Sequence, residues 1–354
     1  MAKPIKLLQL MAGSPQGGAE GFCLRLVLAL QARGVEQAII TRPDMARLDE
    51  LRAAGVKVIT ARFGTPLFDL TTHQTIKKTF AEFSPDLVLS WMNRANAFAK
   101  PLKNKGAKLL GRLGGYYDLK YYSACDYLIG NTEDLVDYFT AQGWPTARSM
   151  YLPNFAEHKI VPPTGRAALN TPSDAPLFFA LGRFHENKAF DTLLSAMAQV
   201  PNAYLWLAGD GDLRPALEAQ VKTLGITDRV RFLGWRTDTS ALYAAADYFI
   251  CPSRHEPLGN VILEAMANGM PIISTDNNGA QQLLQQDKTG QIVPLDDVDA
   301  MATAMQNFIA DPAAAKQLGT AAQKFYLENY SADIVCNQYI DFFKKILDQI
   351  PCAA

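Results

Sequence analysis

Apolar residues in this chain fall into short blocks. Between the blocks, apolar positions recur at helical spacing. The first block is residues 5–11 (IKLLQLM), followed by turn residues at 12–21 and a helical run at 22–32 (FCLRLVLALQA). Further blocks stand at 39–40, 56–59, 85–90, 108–110 and 127–130, with helical patterns at 47–54, 75–83 and 95–103. Short apolar runs bounded by turn residues read as buried strands, and the 3.6-residue period reads as helix. Strands alternating with helices predict βα units around a mostly parallel sheet, whose ligands sit beyond the carboxyl ends of the strands.

The rhythm pauses at 151–176. Pro153, Pro162, Pro163, Pro172 and Pro176 stand there, with Pro145 just upstream, among Ser, Thr and Asn. Such a stretch reads as a linker or domain edge. Strand patterns then return at 177–181, 204–208, 230–233, 248–251, 271–275 and 290–294. Helical patterns lie at 190–199, 213–224, 239–246 and 261–268, and at 298–310, 313–329 and 334–350. Two α/β domains of similar plan are expected, at 1–155 and 156–330, with a helical tail at 331–354.

Composition agrees with two folded domains. The chain has 354 residues, of which 49% are hydrophobic and 19% charged, enough for two cores. The net charge of −1 hides an asymmetry. Residues 1–155 carry 19 Lys or Arg against 13 Asp or Glu, which leaves 15 against 22 of the chain's 34 and 35. A basic half suggests an anionic partner. The five cysteines (Cys23, Cys125, Cys251, Cys336, Cys352) form no CxxC pair, and the four histidines show no HxxxH spacing. A disulfide framework, a zinc site and any bound metal are therefore not expected, and a reducing compartment is. Lys3 and Lys6 before Leu7–Met11 resemble a signal peptide only faintly. The apolar run is too short and leads into a glycine-rich turn, so it reads as a first strand. No run reaches the ~18 apolar residues of a membrane span. A cytoplasmic protein is expected, soluble or peripheral on the inner face of the membrane.

Four stretches carry candidate chemistry. In the first turn, Gly13, Gly17 and Gly18 let backbone amides approach a phosphate at a helix start, or simply form a tight turn. In LGRFHENK, Gly182 ends a strand and the cations Arg183 and Lys188 follow, placed to neutralise a leaving diphosphate. LAGDG at 207–211 and FLGW at 232–235 end strands in glycine turns (Gly234 in the second) against which a base can lie. Trp235 reads equally as packing. In Ser253–Gly279, the amides of Leu258, Gly259 and Asn260 offer a second phosphate seat at a helix start. Glu264, one turn on, can accept both hydroxyls of a ribose. Glu256, before the turn, can meet the sugar. Either carboxylate alone also reads as a solvated cap.

Taken together these stretches resemble glycosyltransferase family 4. The likeness rests on Gly17-Gly18-Ala19-Glu20, Leu152-Pro153-Asn154, Gly182-Arg183 with Lys188, Gly209-Asp210-Gly211, Phe232-Leu233-Gly234, Glu256 through Glu264-Ala265-Met266-Ala267, Gly269, Pro271 and Lys288-Thr289-Gly290. The resemblance implies a GT-B fold: α/β, with two facing Rossmann-like domains and a tail crossing back to the first. It implies a retaining, metal-independent hexosyl- or glycosyltransferase with no cofactor beyond a nucleotide-diphosphate sugar as co-substrate, a UDP-sugar being favoured. Arg183 and Lys188 would bind the diphosphate, Glu264 the ribose and Glu256 the donor sugar, and Gly18 and the Gly259-Asn260 amides would approach the phosphates. Where relatives carry a histidine after the strand at 87–90, this chain has Trp91-Met92-Asn93-Arg94. Asn93 or Arg94 is then the expected acceptor or sugar contact. Asp296-Asp297 reads as a polar pair leading into a helix. The stretch GRLGGYYDLKYYSACDYLIGN at 111–131 resembles enzymes of the bacterial cell envelope that build lipopolysaccharide core, so a glycan or glycolipid acceptor is expected and a nucleic acid is not. Basic and aromatic residues at 98–122 (Lys100, Lys103, Lys105, Lys108, Arg112, Tyr116, Tyr117, Lys120, Tyr121, Tyr122) read either as facing an anionic membrane or as an ordinary solvated helix beside packed tyrosines. The alternatives are a nucleotide-sugar epimerase of the same fold and a non-catalytic glycan-binding scaffold.

Overall fold

The computed structural model describes residues 4–14 and 17–349. Lys3, Ile350 and Cys352, which entered the reading above, lie outside them. The chain divides into two compact units, Met1–Phe155 with Ala332–Ala354, and Ala156–Ser331.

The first unit holds β1 (Lys6–Met11), β2 (Glu36–Thr41), β3 (Lys57–Thr60), β4 (Leu87–Trp91), β5 (Lys108–Leu113), β6 (Tyr127–Gly130) and β7 (Ser149–Tyr151). All pair in parallel, in the order β3-β2-β1-β4-β5-β6-β7. Between the strands run α1 (Gly18–Gln31), α2 (Leu48–Ala53), α3 (Leu70–Phe83), α4 (Met92–Ala99) and α5 (Glu133–Ala141). The period-2 alternation of β1 explains the layering. Leu7 and Met11 join one buried cluster, and Leu8 and Leu10 join another on the opposite face. A sheet buried on both faces needs such near-continuous apolar strands.

One polar line crosses this sheet. Gln9 in β1 donates to Gln37 Oε1 in β2 (2.8 Å) and accepts from Trp91 Nε1 in β4 (2.9 Å), while Gln37 Nε2 donates to the Val27 carbonyl (2.8 Å). All three side chains are buried. Because each polar atom finds its partner only in this pairing, the line pins the register of three strands.

The second unit holds β8 (Leu177–Leu181), β9 (Tyr204–Ala208), β10 (Val230–Gly234), β11 (Tyr248–Cys251), β12 (Ile272–Thr275) and β13 (Gln291–Val293), in the order β10-β9-β8-β11-β12-β13. These strands also pair in parallel. Its helices are α6 (Phe190–Ala198), α7 (Arg214–Thr223), α8 (Thr239–Ala245), α9 (Asn260–Ala267), α10 (Asn278–Leu283), α11 (Val298–Ala310) and α12 (Pro312–Asn329). Here too, Phe178 and Ala180 face one core and Leu177 and Phe179 the other.

Helix α13 (Ala332–Asp348) belongs to the first unit. Val335, Cys336, Tyr339, Phe342, Phe343 and Ile346 recur at helical spacing and bury against α1 and β1 residues. Arg112, at the end of β5, is 2% exposed. Its guanidinium lies 4.7 Å from the Phe22 ring centroid and 4.8 Å from that of Trp91. It donates to Tyr339 Oη (2.8 Å) and Asn154 Oδ1 (2.5 Å). Stacking between two rings suits a weakly hydrated planar cation.

That placement corrects the membrane reading of 98–122. Phe98, Arg112 and Tyr122 are buried, Tyr116 bonds Asp134, and Lys120 pairs with Asp118, so the stretch is not one surface. Lys100, Lys103 and Lys105 do remain exposed. Other differences are local. α5, α10 and β7 are elements that the reading above does not include. α4 starts at Met92, earlier than the pattern indicates, because the chain turns sharply through Met92 at φ 60°.

Candidate functional site

In both sheets the strand order reverses at one point: between β1 and β4 in the first unit, and between β8 and β11 in the second. Loops leave in opposite directions there and open a crevice at the carboxyl ends. The residues singled out from sequence emerge at these two points. Gly17, Gly18, Asn93 and Arg94 follow β1 and β4. Arg183 and Lys188 follow β8, and Glu256, Leu258, Gly259, Asn260 and Glu264 follow β11.

In the second unit the loop after β8 packs directly on the loop after β9. A Cβ on Gly209 would lie 1.9 Å from the Gly182 carbonyl oxygen, and Gly209 also sits at φ 137°. Only glycine fits. The Gly209 amide donates to the Gly234 carbonyl (2.8 Å), which draws the end of β10 into the same cluster. Trp235, next along, is 58% exposed, so it is not core packing.

The stem of Lys188 runs beside Gly182, with Cδ and Cε each 3.5 Å from where its Cβ would be. The Lys188 ammonium pairs with Glu256. Burial works against this ammonium, but the Glu256 charge prevails and the pKa is raised, with the nearby Arg183 opposing. Arg183 itself is exposed and pairs with no carboxylate among the described residues. Glu256 is 8% exposed. Its Oε1 takes both the Lys188 ammonium and the Ser253 hydroxyl (3.0 Å).

Arg254 holds these pieces in register. Its Nε donates to Asp296 (2.7 Å), Nη1 to the Glu186 carbonyl (2.7 Å), and Nη2 to Asp191 (2.8 Å) and Thr192 Oγ1 (3.3 Å). Glu186 lies two residues before Lys188, and Arg254 two before Glu256. The side chain therefore ties the lysine loop to the glutamate loop. Its pKa is raised, first by the hydrogen bond to Asp191. The far side of the glutamate loop is held as well. Thr275 Oγ1 (2.6 Å) and Asn277 Nδ2 (3.1 Å) donate to the Ser253 carbonyl, and the Gly279 amide donates to that of Glu256 (2.8 Å).

α9 begins after Gly259, at φ 80°. The Leu258 and Gly259 amides have no hydrogen-bond acceptor among the described residues. Glu264 is half-buried one turn into α9, and the single hydroxyl proton of Tyr243 is shared between it (3.4 Å) and the Val261 carbonyl (3.2 Å). Burial, and then the Glu264 charge, push the Tyr243 hydroxyl pKa well up, so it remains a donor.

Sequence reading missed Tyr243, Ser253, Arg254, Asp191, Asn277 and Asp296. Asp297 does cap α11, accepting from the Ala300 amide (2.9 Å), but its neighbour Asp296 belongs to the Arg254 clamp.

In the first unit the glycine turn is occupied from within. The Glu20 carboxylate accepts from the Ser14 amide (2.8 Å) and lies where a Cβ on Gly13 or Gly17 would fall, 2.1 and 2.2 Å away. After β4, the Asn93 Oδ1 is buried and has no hydrogen-bond partner among the described residues, while Arg94 is exposed. No group of three or more His, Cys, Asp or Glu among the described residues is placed to hold a metal ion.

Two open parallel α/β sheets in one chain, with charged residues gathered at the switch point of the second, define the GT-B class. Solved structures agree on the fold. Anabaena Alr3699/HepE in complex with UDP and glucose superposes with a TM-score of 0.83 at 21% identity, covering 96% of this chain and all (100%) of that one. The lipopolysaccharide outer core galactosyltransferase WaaB gives 0.73 at 17% identity, with 96% and 100% covered. A family model described as glycosyl transferases group 1 matches residues 175–311. The chain is 35% identical over 326 residues to the lipopolysaccharide core biosynthesis glycosyltransferase LpsE of Rhizobium meliloti (strain 1021), covering 92% of this chain and 95% of that protein. It is 33% identical over 344 residues to LpsD of the same organism, with 96% and 98% covered. The chain belongs to the group 1 glycosyltransferases.

Proposed function

We propose that this glycosyltransferase moves a sugar from a UDP-sugar to a glycan or glycolipid of the lipopolysaccharide core type. In this reading transfer proceeds with retention and without a divalent metal, at the cytoplasmic face of the membrane. The observation that carries the reading is the pairing of Lys188 with Glu256 at the second switch point, beside Arg183 and the unpartnered Leu258 and Gly259 amides. The names of LpsE and LpsD support the acceptor class, and the UDP in HepE supports the donor.

Each residue then has a task. Arg183, Lys188 and the α9 amides take the diphosphate, and Glu264, oriented by Tyr243, takes the ribose hydroxyls. The exposed Trp235 ring offers a face for the base. Glu256, fixed by Lys188 and Ser253 through one oxygen, keeps the other for a sugar hydroxyl. The bond from the anomeric carbon to the diphosphate oxygen breaks, and its electron pair leaves with the diphosphate. The acceptor hydroxyl attacks the same face and passes its proton to that leaving oxygen. Cations suffice to stabilise the growing charge, so the chain's own side chains take the part that a metal plays elsewhere. Asn93 and Arg94 are assigned to an acceptor or sugar contact, and Gly17 and Gly18 to donor binding.

The test is transfer from UDP-sugars, with the product anomer read by NMR and the activity measured in chelator. Arg183→Ala and Lys188→Ala should each lower kcat about 10²-fold or more. Unchanged transfer in both variants, an inverted product, or loss of activity in chelator refutes the corresponding part.

A further inference from the structure

Large hydrophobic side chains on the surface of this protein mostly stand singly, which is ordinary. The turn between β3 and α3 is different. Leu67 and Phe68 are each 78% exposed and Leu70 is 68% exposed. Contiguous exposed apolar surface marks a site of interaction. Side chains exposed to this degree do not line a groove; they protrude.

The protrusion is built rigidly. The Asp69 carboxylate accepts from the Gly64 amide (2.7 Å), the Thr72 amide (3.0 Å) and the hydroxyls of Thr71 (2.8 Å) and Thr72 (2.6 Å). The Phe68 and Asp69 amides donate to the Thr65 carbonyl (2.9 and 3.0 Å). His73 Nε2 bonds the Pro66 carbonyl (2.7 Å), and the ring packs 4.8 Å from that of Phe98. Phe63, at the root of the turn, is buried edge-on against Phe98 at 5.3 Å. The apolar tip thus has no local way to fold in.

Charge says what covers it. Between Arg62 and Lys77 the only acidic or basic side chain apart from His73 is Asp69, and its carboxylate is taken up by the Gly64 and Thr72 amides and the Thr71 and Thr72 hydroxyls. Arg62 and Lys77 are exposed and pair with no carboxylate among the described residues. On α3, Leu70, Gln74 and Lys77 share one exposed face. Seven residues of helix place Lys77 roughly 10 Å from Leu70 along the axis. An apolar end followed at that depth by cations matches a bilayer, with acyl boundary below and anionic headgroups above. The three side chains expose on the order of 400 Å², about half of what each partner of a standard protein interface buries. A dimer is therefore the poorer occupant.

We infer that Leu67, Phe68 and Leu70 insert into the interface of an anionic bilayer and hold the first unit on the membrane. The inference rests on the glycolipid reading above only for why a membrane is near. The test is flotation of the full chain with vesicles of neutral and anionic phospholipid, without acceptor. Wild type should float with anionic vesicles. Leu67→Ser/Phe68→Ser/Leu70→Ser should float at least roughly tenfold less. That variant should keep the wild-type Tm and the wild-type rate with a water-soluble oligosaccharide acceptor. Lys100→Glu/Lys103→Glu/Lys105→Glu should float like wild type. Equal flotation of wild type and the serine variant overturns the inference. So does no flotation of wild type, binding lost only in the lysine variant, or a concentration-dependent dimer that the serine variant abolishes. Flotation without any sugar transfer would instead sink the glycolipid reading and leave this one standing.

Discussion

Replacing Arg254 with methionine tests whether the clamp positions the reactive residues or only decorates the surface. Methionine keeps much of the side-chain volume and removes every donor. Two of the four contacts are ion pairs, to Asp191 and Asp296, whose side chains are 51% and 50% exposed against 32% for Arg254. Solvent screening limits such pairs to ~0.2–1 kcal/mol each, so with the carbonyl bond the whole clamp contributes about 1–2 kcal/mol. For a unit of this size that corresponds to a Tm lower by roughly 3–6 °C. The expected loss in transfer is much larger. Once the Glu186 carbonyl and Asp191 are released, Lys188 and Glu256 can drift, and a shift near 1 Å costs about 10²-fold. The assay is steady-state transfer at 25 °C, beside a thermal melt of each variant. Arg254→Lys, which keeps the charge but not the fork, should fall between. Lys324→Met, which removes the exposed Lys324–Glu328 pair on α12 in the same unit, should leave kcat/KM unchanged. If Arg254→Met keeps kcat/KM within about twofold of wild type while its Tm falls as expected, the positioning argument is wrong.

Three further outcomes are expected. Tyr243→Phe removes the hydroxyl that orients Glu264, so KM for the donor should rise several-fold with kcat little changed; equal falls in kcat and kcat/KM would place the tyrosine elsewhere. Asp69 is held below the usual carboxylate range, first by the Thr72 hydroxyl. Its contribution is full above the unfolded aspartate pKa and fades as pH falls below it. Asp69→Ala should therefore lose about 1 kcal/mol at pH 7, and the gap to wild type should close below roughly pH 4 in denaturant titrations. A gap that stays constant with pH would contradict this. Gln9→Leu leaves Trp91 Nε1 and Gln37 Oε1 buried without partners and should cost about 2–4 kcal/mol by chemical denaturation; a neutral result would show that water reaches the line.

Strand and helix rhythm made most of both sheets readable, because central strands such as β1, β4 and β8 are buried almost throughout and the helices between them carry apolar positions at helical spacing. The charged residues after β8 and β11 were readable because turns after strands are where ligands sit. What escaped was long-range. Arg254 joins residues 42 and 63 positions away, and nothing in SRHEPLG marks it off from a surface arginine. Arg112 looked like a membrane cation because Phe22, Trp91 and Tyr339, which enclose it, lie far off in the chain. Asp296 carries the same lesson. A polar pair before a helix suggests capping, which Asp297 performs, while Asp296 sits at φ 56° and bonds Arg254 and Thr192.

The bond from Arg112 to Tyr339 has a consequence for how the protein is made. The second unit is a single unbroken segment, whereas the first is split, with its last helix following the whole of the second. A ribosome delivers residues 4–155 before the second unit, but the cluster around Phe22, Trp91 and Arg112 lacks Val335, Tyr339 and Phe343 until the second unit has been synthesised. Domains tend to fold as they emerge. Here the apolar α1 face of the first unit waits for α13 until the whole of the second unit has been synthesised. Stop codons just before residue 332 should thus spare the second unit and leave the first a substrate for chaperones and proteases.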